Sequence, residues 1–340
     1  MLPVSKMSSC PICQEELPPQ SADGQAVCRA LCCGGQYCTP CAKEALANGA
    51  TCVLCRAPVP TTQDEAVAMV RKHAEAGRAW AQSNLGSRYE CGRGVPQDAA
   101  LAARWMKAAS EQGDASAQQD LGAYYQLGLG VPASPEQAIL WTRKAVAQGN
   151  AKAMFNLANM IKASQPDEYK RLLLNSADAG YAAAQSDVGY NYENGADGFP
   201  QDMGQATTYF RKAAEGENAL AMANLGGRYL AKQWWASAKF WFTAAMAKDE
   251  TNGDVANVVE QLNDHLTHHC AGCDATPEKL AKCAQCKQVM YCEKACQLRH
   301  WKTGHKHDCK LFLADAAAIQ AKYAATMEQV AREALVHGYA

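Results

Sequence analysis

The stretch that decides the fold covers residues 115–150 and reads ASAQQDLGAYYQLGLGVPASPEQAILWTRKAVAQGN. Its first half holds Leu121 and Tyr125, and residues four apart lie on one face of a helix. Its second half holds Trp141, with alanines three residues before it and four residues after it, which is again the helical period. The segment GLGVPASP between the halves is rich in turn residues. These patterns together predict two helices joined by a short loop.

The same frame recurs along the middle of the chain, at successive spacings of 36, 36, 31 and 37 residues. A glycine follows the first apolar residue in four of the five units, as Gly122 follows Leu121, and it allows a neighbouring helix to approach closely. A single hairpin cannot bury its apolar face, so stacked neighbours must supply the core. The repeats therefore predict a mainly α fold, an α-solenoid of helix hairpins. The five units begin at Ala79, Ala115, Ala151, Ala182 and Ala219.

Capping residues mark the ends of several second helices in these units. Asp98, Ser134 and Asp202 stand four residues before the first alanine of the apolar stripe, where an N-cap oxygen is expected. Gly113 and Gly149 follow two of these helices, as glycines in a left-handed C-terminal cap do. The sequence thus predicts both ends of the second helices.

The units resemble Sel-1-like repeats, which are relatives of tetratricopeptide repeats, over about residues 79–249. The third unit is shorter, and its second half fits the pattern poorly. Residues 64–78 are interpreted as the second helix of a capping half-repeat, and residues 254–266 as a capping helix. The resemblance implies a surface that binds a protein partner. The tryptophans and tyrosines at helical spacing are interpreted as core rather than as a cofactor site.

The placement of cysteine is the second strong signal. The chain has 17 cysteines, nine between Cys10 and Cys55, seven between Cys270 and Cys309, and one, Cys91, between the clusters. Several form C-x2-C pairs, in which two thiolates can bind one tetrahedral Zn2+. The first ten residues lack an apolar signal core, so a reducing compartment is expected. Zinc binding is therefore favoured over a disulfide framework.

The C-terminal cluster supplies eight candidate ligands within 40 residues, enough for two closed tetrahedral zinc sites. A segment of this size is too small for a sufficient apolar core, so metal binding would supply its folding energy. Closed sites leave no position for a substrate, which favours a structural role. The candidate ligands are Cys270, Cys273, Cys283, Cys286, Cys292, Cys296, His305 and Cys309.

The spacing of these ligands resembles the MYND zinc finger, as do Tyr291 and the run of residues 297–301. His307 competes with His305 as a ligand, and the family spacing before the last cysteine favours His305. MYND fingers interleave their ligands along the chain. The resemblance implies one site from Cys270, Cys273, Cys292 and Cys296 and a second site from Cys283, Cys286, His305 and Cys309.

The MYND resemblance also implies binding of short peptides, often proline-rich. Lysine and arginine are frequent in residues 279–310, and a solvated basic surface is favoured there over a nucleic-acid footprint. The formal net charge of -1 gives the whole chain no attraction to nucleic acid or to an anionic membrane. No run of about 20 apolar residues predicts a transmembrane helix. Protein partners are therefore expected.

The N-terminal cluster resembles a RING finger, in which two zinc sites share ligands in a crossed order. The pair Cys32 and Cys33, followed by Gly34, resembles a variant class that has CCG in place of Cys-x-His. Cys28 is the alternative to Cys32 as a ligand. The resemblance implies one site from Cys10, Cys13, Cys38 and Cys41 and a second site from Cys32, Cys33, Cys52 and Cys55.

A RING finger performs no bond chemistry itself but holds a ubiquitin-conjugating enzyme. Ile12 matches the apolar position that packs on that enzyme, and Arg56 matches the cationic position that braces ubiquitin. Val53, in contrast, stands where the family usually has a proline. The structural alternatives are a buried finger residue for Ile12 and a solvated charge for Arg56.

Two functions follow from these features. One is a non-enzymatic scaffold that binds proteins through its fingers and its solenoid, and the other is a RING-type ubiquitin ligase. Both require four zinc ions, two in each finger, and both are expected in the cytosol or the nucleus. The predicted domains are a RING-like finger (1–60), the solenoid (61–250), a capping helix and linker (251–269), a MYND-type finger (270–309) and a C-terminal helix (310–340).

Overall fold

The computed structural model of the chain describes residues 27–29, 36–38, 60, 62–232, 234–249, 253–268, 281–283, 290–291 and 306. Twelve helices and four short strands occur in this described part. The strands form two separate antiparallel hairpins, β1–β2 and β3–β4. The helices are α1 (Gln63–Glu75), α2 (Ala79–Cys91), α3 (Ala99–Glu111), α4 (Ala115–Leu127), α5 (Pro135–Ala147), α6 (Ala151–Ile161), α7 (Pro166–Asp178), α8 (Ala182–Asn194), α9 (Met203–Glu215), α10 (Ala219–Ala231), α11 (Trp235–Lys248) and α12 (Gly253–His268). The strands are β1 (Val27–Arg29), β2 (Gln36–Cys38), β3 (Ala281–Lys282) and β4 (Met290–Tyr291).

The chain divides into two compact units, residues 1–181 and residues 182–340. In the first unit α1 packs on α2, and the hairpins α2–α3, α4–α5 and α6–α7 then pack in sequence order. In the second unit the hairpins α8–α9 and α10–α11 pack on each other, and α12 packs on α11. The predicted solenoid of helix hairpins is therefore confirmed. Within the described residues, no helix is both long enough and apolar enough to span a membrane.

One position of the repeat forms the centre of the core in every hairpin. It is the apolar residue six positions after the first alanine of each unit, and its side chain is fully or almost fully buried. Burying such a side chain contributes about 1.5–3 kcal/mol. Of the tryptophans interpreted as core, Trp141 and Trp241 are buried, whereas Trp105 is partly buried against a core cluster. The five equivalent residues are Leu85, Leu121, Leu157, Val188 and Leu225.

Glycine lets the two helices of a hairpin approach closely, as the sequence predicts. A Cβ atom on Gly122 would overlap Thr142 Oγ1 on the facing helix. A Cβ atom on Gly226 would lie 2.8 Å from the ring of Phe242, which is closer than real Cβ atoms come. The missing side chain thus leaves room for the residue that packs opposite it.

The predicted caps are present. Asp98 accepts a hydrogen bond from the backbone N–H of Leu101 at 2.9 Å, and Asp202 and Ser134 cap their helices in the same way. Gly113 and Gly149 follow the C-caps of α3 and α5 with φ values of +91° and +79°. These contacts satisfy backbone groups that the helix itself leaves unpaired.

The second half of the short third unit fits the repeat pattern poorly in sequence, yet it forms a complete helix. Its second helix, α7, is fully formed although it lacks the alanine stripe and has no side-chain N-cap bond. Pro166 occupies the first turn, where a missing N–H costs nothing. The side chains of Tyr169, Leu172 and Leu173 are buried. Tyr169 therefore replaces the first small residue of the stripe, four residues after the N-cap, where other second helices have alanine.

A chain of buried glutamines links successive hairpins of the first unit, and the sequence did not reveal it. Gln118 Nε2 donates a hydrogen bond to the carbonyl of Ser110 at 3.1 Å, across the loop from α3 to α4. Gln148 Nε2 then donates to Gln118 Oε1 at 2.8 Å. The equivalent contacts occur one unit earlier. Gln82 Nε2 donates to the carbonyl of Ala74, and Gln112 Nε2 donates to Gln82 Oε1. The carbonyls of Ala74 and Ser110 also accept a backbone N–H from Gly77 and Gly113, so Gln82 and Gln118 each add a second hydrogen bond at the end of a helix.

The predicted C-terminal helix, residues 310–340, lies outside the described residues. The predicted capping helix at residues 254–266 is found as α12, which is one residue longer at its start and two at its end.

Candidate protein-interaction surface and metal-binding fingers

The C-terminal finger contains the hairpin β3–β4, in which Ala281 pairs with Tyr291 and Lys282 pairs with Met290. Helix α12 packs on β4, so the hairpin is held at the end of the second unit. Cys283 follows β3 directly and is only 1% exposed. Cys292 follows β4 in the sequence, at the opposite end of the hairpin. This order suits a finger in which these two thiols belong to different metal sites.

Cys283 is the one C-terminal ligand candidate whose side chain the structure describes. A buried cysteine directly after a strand of the finger is compatible with a structural metal ligand. The assignment of the other seven candidates remains a prediction. Those outside the described residues are Cys270, Cys273, Cys286, Cys292, Cys296, His305 and Cys309.

The N-terminal cysteine-rich segment is described only at the hairpin β1–β2, where Cys28 pairs with Tyr37 and Val27 pairs with Cys38. The choice between Cys28 and Cys32 as a ligand therefore stays open. In the described part of the chain, no three His, Cys, Asp or Glu residues come together in a way that could hold a metal ion. The predicted residues that lie outside the described part are Cys10, Ile12, Cys13, Cys32, Cys33, Cys41, Cys52, Cys55 and Arg56.

Four residues on the first helices of three hairpins form a cluster in which the pKa values of two members, Asp120 and Tyr124, are raised. We call it the Glu90–Asp120 cluster, and its members are Glu90 on α2, Asp120 and Tyr124 on α4, and Lys152 on α6. Asp120 Oδ1 lies 3.8 Å from Lys152 Nζ, at the outer limit of an ion pair. The repeat brings these residues together because they lie on the first helices of three successive units, which pack in sequence order.

Burial raises the pKa of Asp120 to about 6. Lys152 lowers this pKa, whereas the charges of Glu90 and Asp114 raise it further. The nearby lysine therefore does not offset the loss of solvation. The Asp120 side chain keeps 27% of its accessible surface, so water still reaches the carboxylate. Near neutral pH this residue is ionised in an environment that disfavours its charge.

Tyr124 is only 3% exposed, and its hydroxyl group forms no hydrogen bond of standard geometry with any described residue. Burial raises the pKa of Tyr124, and the carboxylate of Glu90 raises it further. The hydroxyl therefore lies close to Glu90 without a well-formed bond to it. A buried hydroxyl whose hydrogen bond to its neighbouring acceptor is poorly formed is uncommon.

Replacing Asp120 with asparagine is expected to stabilise the first unit at pH 7.5 by about 1–2 kcal/mol. The folded pKa exceeds the ordinary value of 3.8, so the stability that Asp120 contributes is present below pH 4 and lost as the pH rises through about 6. The asparagine cannot ionise and avoids this loss. Urea unfolding followed by circular dichroism between pH 4.5 and 7.5 measures the difference.

The control for this prediction is Asp178→Asn, which removes an exposed carboxylate from α7 in the same unit. We expect no change in the pH dependence of stability for that variant. If Asp120→Asn were as stable as the wild type at every pH, the buried and unfavourable charge at this position would be disproved.

The second unit fills the equivalent repeat positions with a formed ion pair. Arg228 Nη1 donates to Glu193 Oε1 at 2.5 Å, and the arginine side chain is only 9% exposed. Arg228 Nη2 also donates to the carbonyl of Met203 at 2.7 Å and to Thr207 Oγ1 at 2.9 Å. The arginine thus ties α10 to the preceding hairpin of its unit.

The comparison with protein families identifies two modules in the chain. The MYND finger family matches residues 270–309. The Sel1 repeat family matches residues 81–114, 115–150 and 182–218. The third unit, residues 151–181, and the fifth unit, which begins at Ala219, are not among the matched segments.

Individual proteins resemble only short parts of the chain. The ubiquitin carboxyl-terminal hydrolase 15 of Arabidopsis thaliana is 42% identical over 52 residues, which are 15% of this chain and 5% of that protein. The N-lysine methyltransferase SMYD2 of Rattus norvegicus is 48% identical over 42 residues, 12% of this chain and 10% of that protein. The chain thus spans no more than a tenth of the length of these relatives.

Solved structures resemble the helical part. A Sel1 repeat protein from Oxalobacter formigenes has a TM-score of 0.54 and 25% identity, and the match covers 59% of this chain and 85% of that one. The antigen c5321 of uropathogenic Escherichia coli has a TM-score of 0.52 and 27% identity, and the match covers 59% and 44% of the two chains. The chain therefore carries Sel1 repeats within residues 81–218 and a MYND finger at residues 270–309.

Proposed function

We propose that this protein is a zinc-binding scaffold that holds protein partners through its repeats and its fingers. The observation that carries the proposal is the presence, in one chain, of stacked Sel1 hairpins and a MYND finger. Both are modules of protein interaction. Leu127 and Leu129, at the loop between α4 and α5, are 67% and 41% exposed, which supports a contact surface there.

Zinc binding follows from the MYND finger, and we propose two ions in each finger. Thiolates and one imidazole are the donors that tetrahedral Zn2+ prefers. The burial of Cys283 at the end of β3 fits such a site. The bound metal would supply folding energy rather than chemistry, because a closed site has no open coordination position. The ligand sets are those proposed from the sequence for the two fingers.

The proposal includes the cytosol or the nucleus as the compartment, since thiolate ligands must stay reduced. We further propose short peptides as ligands of the MYND finger, following the behaviour of that family.

Affinity purification with quantitative mass spectrometry tests the scaffold proposal. The intact chain is compared with a chain that carries Cys283→Ser together with Cys286→Ser, and the control is Cys91→Ser, which changes an exposed cysteine at the end of α2. We expect the double variant to lose a reproducible subset of partners and the control to lose none. Identical partner sets for all three proteins would contradict the assignment of partners to the finger.

A RING-type ubiquitin ligase is the second candidate function, and the sequence features Ile12 and Arg56 support it. The antiparallel pairing of Cys28 with Tyr37 supports a compact N-terminal finger. The test is ubiquitin transfer with a panel of conjugating enzymes, comparing the intact protein with Ile12→Ala and Arg56→Ala. Loss of transfer in both variants with retained zinc would establish the ligase. Absence of transfer by the intact, zinc-loaded protein would reject it.

A further inference from the structure

We propose that the Glu90–Asp120 cluster binds an arginine or lysine side chain of a partner protein. This inference rests on the scaffold function and specifies the chemistry that one surface of the repeats recognises. Three observations on the first unit support it, and each concerns a different group.

The first observation is that two equivalent repeat positions hold a glutamate and an arginine in the second unit, but a glutamate and a tyrosine in the first unit. Glu90 and Glu193 occupy the same repeat position, eleven residues after the first alanine of their units. Tyr124 and Arg228 occupy the same position in the units that follow, nine residues after the first alanine. In the second unit these positions form the Arg228–Glu193 ion pair.

In the first unit the same two positions bring Tyr124 next to Glu90, and a tyrosine carries no positive charge. No ion pair joins Glu90 to any other residue in the described part of the chain. The geometry that places a guanidinium group on Glu193 therefore leaves Glu90 without one.

The second observation is the balance of charge around the cluster. Glu90 and Asp120 are two carboxylates, and Asp114 acts on Asp120 as a third. Lys152 is the cation that opposes them, and its distance of 3.8 Å from Asp120 leaves the carboxylate under-compensated. An added cation therefore gains favourable interaction with the exposed carboxylate of Glu90 and with the partly desolvated carboxylate of Asp120.

The third observation is the unsatisfied hydroxyl of Tyr124. It is buried beside Glu90 and forms no hydrogen bond of standard geometry. Its oxygen can accept an N–H from an ammonium or guanidinium group, while its O–H donates toward Glu90. A cationic side chain bound to Glu90 would thus supply the donor that this oxygen lacks.

The composition of the site favours an organic cation over a metal ion. In the described residues, no three His, Cys, Asp or Glu residues come together in a way that could hold a metal ion. Two carboxylates and a neutral hydroxyl with an aromatic ring suit a group with several N–H donors. We therefore assign the site to arginine or lysine.

The test is fluorescence anisotropy of the full-length protein with a labelled arginine-rich peptide and a labelled lysine-rich peptide. The peptide controls have every arginine replaced by citrulline or every lysine acetylated. We expect binding of at least one cationic peptide, and about tenfold weaker binding to Glu90→Gln and to Asp120→Asn, as loss of a hydrogen bond to a charged group predicts.

The matched protein control is Glu111→Gln, which removes one exposed carboxylate from the end of α3 and changes the net charge equally. Its affinity should stay within twofold of the wild type. Equal weakening by Glu90→Gln and Glu111→Gln would show a general charge effect and overturn the proposal, as would the absence of binding to either cationic peptide.

A gain-of-cation variant gives an independent check. Tyr124→Arg places a guanidinium group where Arg228 stands in the second unit, so it should pair with Glu90 and abolish peptide binding while the helical signal is retained. Unchanged peptide binding by a folded Tyr124→Arg would also overturn the proposal. In the affinity purification, the Cys283→Ser, Cys286→Ser variant tests the scaffold function and Glu90→Gln tests this inference. If the double variant loses partners while Glu90→Gln retains all of them, the scaffold function is supported and this inference fails.

Discussion

The Gly130→Ala variant is expected to unfold with a free energy about 3 kcal/mol lower than that of the wild type. Gly130 lies in the loop between α4 and α5 and has a φ of +68°, which an alanine adopts only with strain. A Cβ atom there would overlap the carbonyl group of Ala99, at the start of α3. Since that carbonyl is backbone in the first turn of a helix, it cannot rotate away as a side chain could.

The control for this prediction is Gly113→Ala. Gly113 has a φ of +91°, and a Cβ atom there would meet no other atom within 4 Å. The backbone strain is comparable, so we expect a loss of only about 1 kcal/mol. Urea unfolding of both variants, followed by circular dichroism at 222 nm, separates the cost of backbone strain from the cost of steric overlap. Equal decreases in the free energy of unfolding would show that overlap with the Ala99 carbonyl adds nothing to the destabilisation of Gly130→Ala.

Gly94 occupies the position of Gly130 one unit earlier and provides an intermediate case. Its φ is +73°, and a Cβ atom would lie 2.9 Å from Val67 Cγ2 on α1. A valine side chain can shift slightly, whereas the Ala99 carbonyl cannot. The expected order of destabilisation is therefore Gly130→Ala, then Gly94→Ala, then Gly113→Ala.

Removal of zinc is expected to unfold both fingers and to leave most of the helical signal of the repeats. Structural zinc sites contribute about 10–16 kcal/mol to the folding of small finger peptides, so a strong chelator should cause a local and complete loss. The repeats are held by burial of Leu121 and its equivalents, which does not depend on metal. Native mass spectrometry should count four ions per chain before chelation.

Single cysteine variants sharpen this second prediction. Cys283→Ser should lose zinc from the C-terminal finger, because the buried thiol is a proposed ligand. Cys91→Ser should keep all four ions, because this exposed cysteine ends α2 beside Gly92. A wild-type count of two ions would require a new assignment of the N-terminal finger. Full retention of zinc by Cys283→Ser would remove that residue from the ligand set.

Local features of the sequence were sufficient to predict the helices. Helical periodicity and caps depend on residues three or four positions apart, so Leu121, Tyr125 and Asp98 could be interpreted without knowledge of the fold. The second half of the third unit was harder, because α7 has Tyr169 and Leu172 at positions where other units have alanine and an aromatic residue. Its helix is decided by the apolar neighbours it packs against, which the periodic pattern does not contain.

The zinc ligands are predicted from spacing alone, since a C-x2-C pair is a local arrangement. The structure adds the burial of Cys283 and the pairing of β3 with β4. It leaves the rest of the ligand assignment as a prediction. The division between RING-type activity and a purely structural N-terminal finger likewise rests on Ile12 and Arg56 in the sequence.

The sequence by itself determined that this chain is a stack of helix hairpins with cysteine-rich ends, because repeat period and ligand spacing are short-range properties. Only the tertiary structure showed that Glu90 lies beside Tyr124, that Asp120 is partly buried near Lys152 and that Gly130 contacts Ala99. These contacts join residues about one repeat apart. Their formation depends on how each hairpin is rotated and offset against the next, and that angle is set by the packing of many side chains rather than by the period.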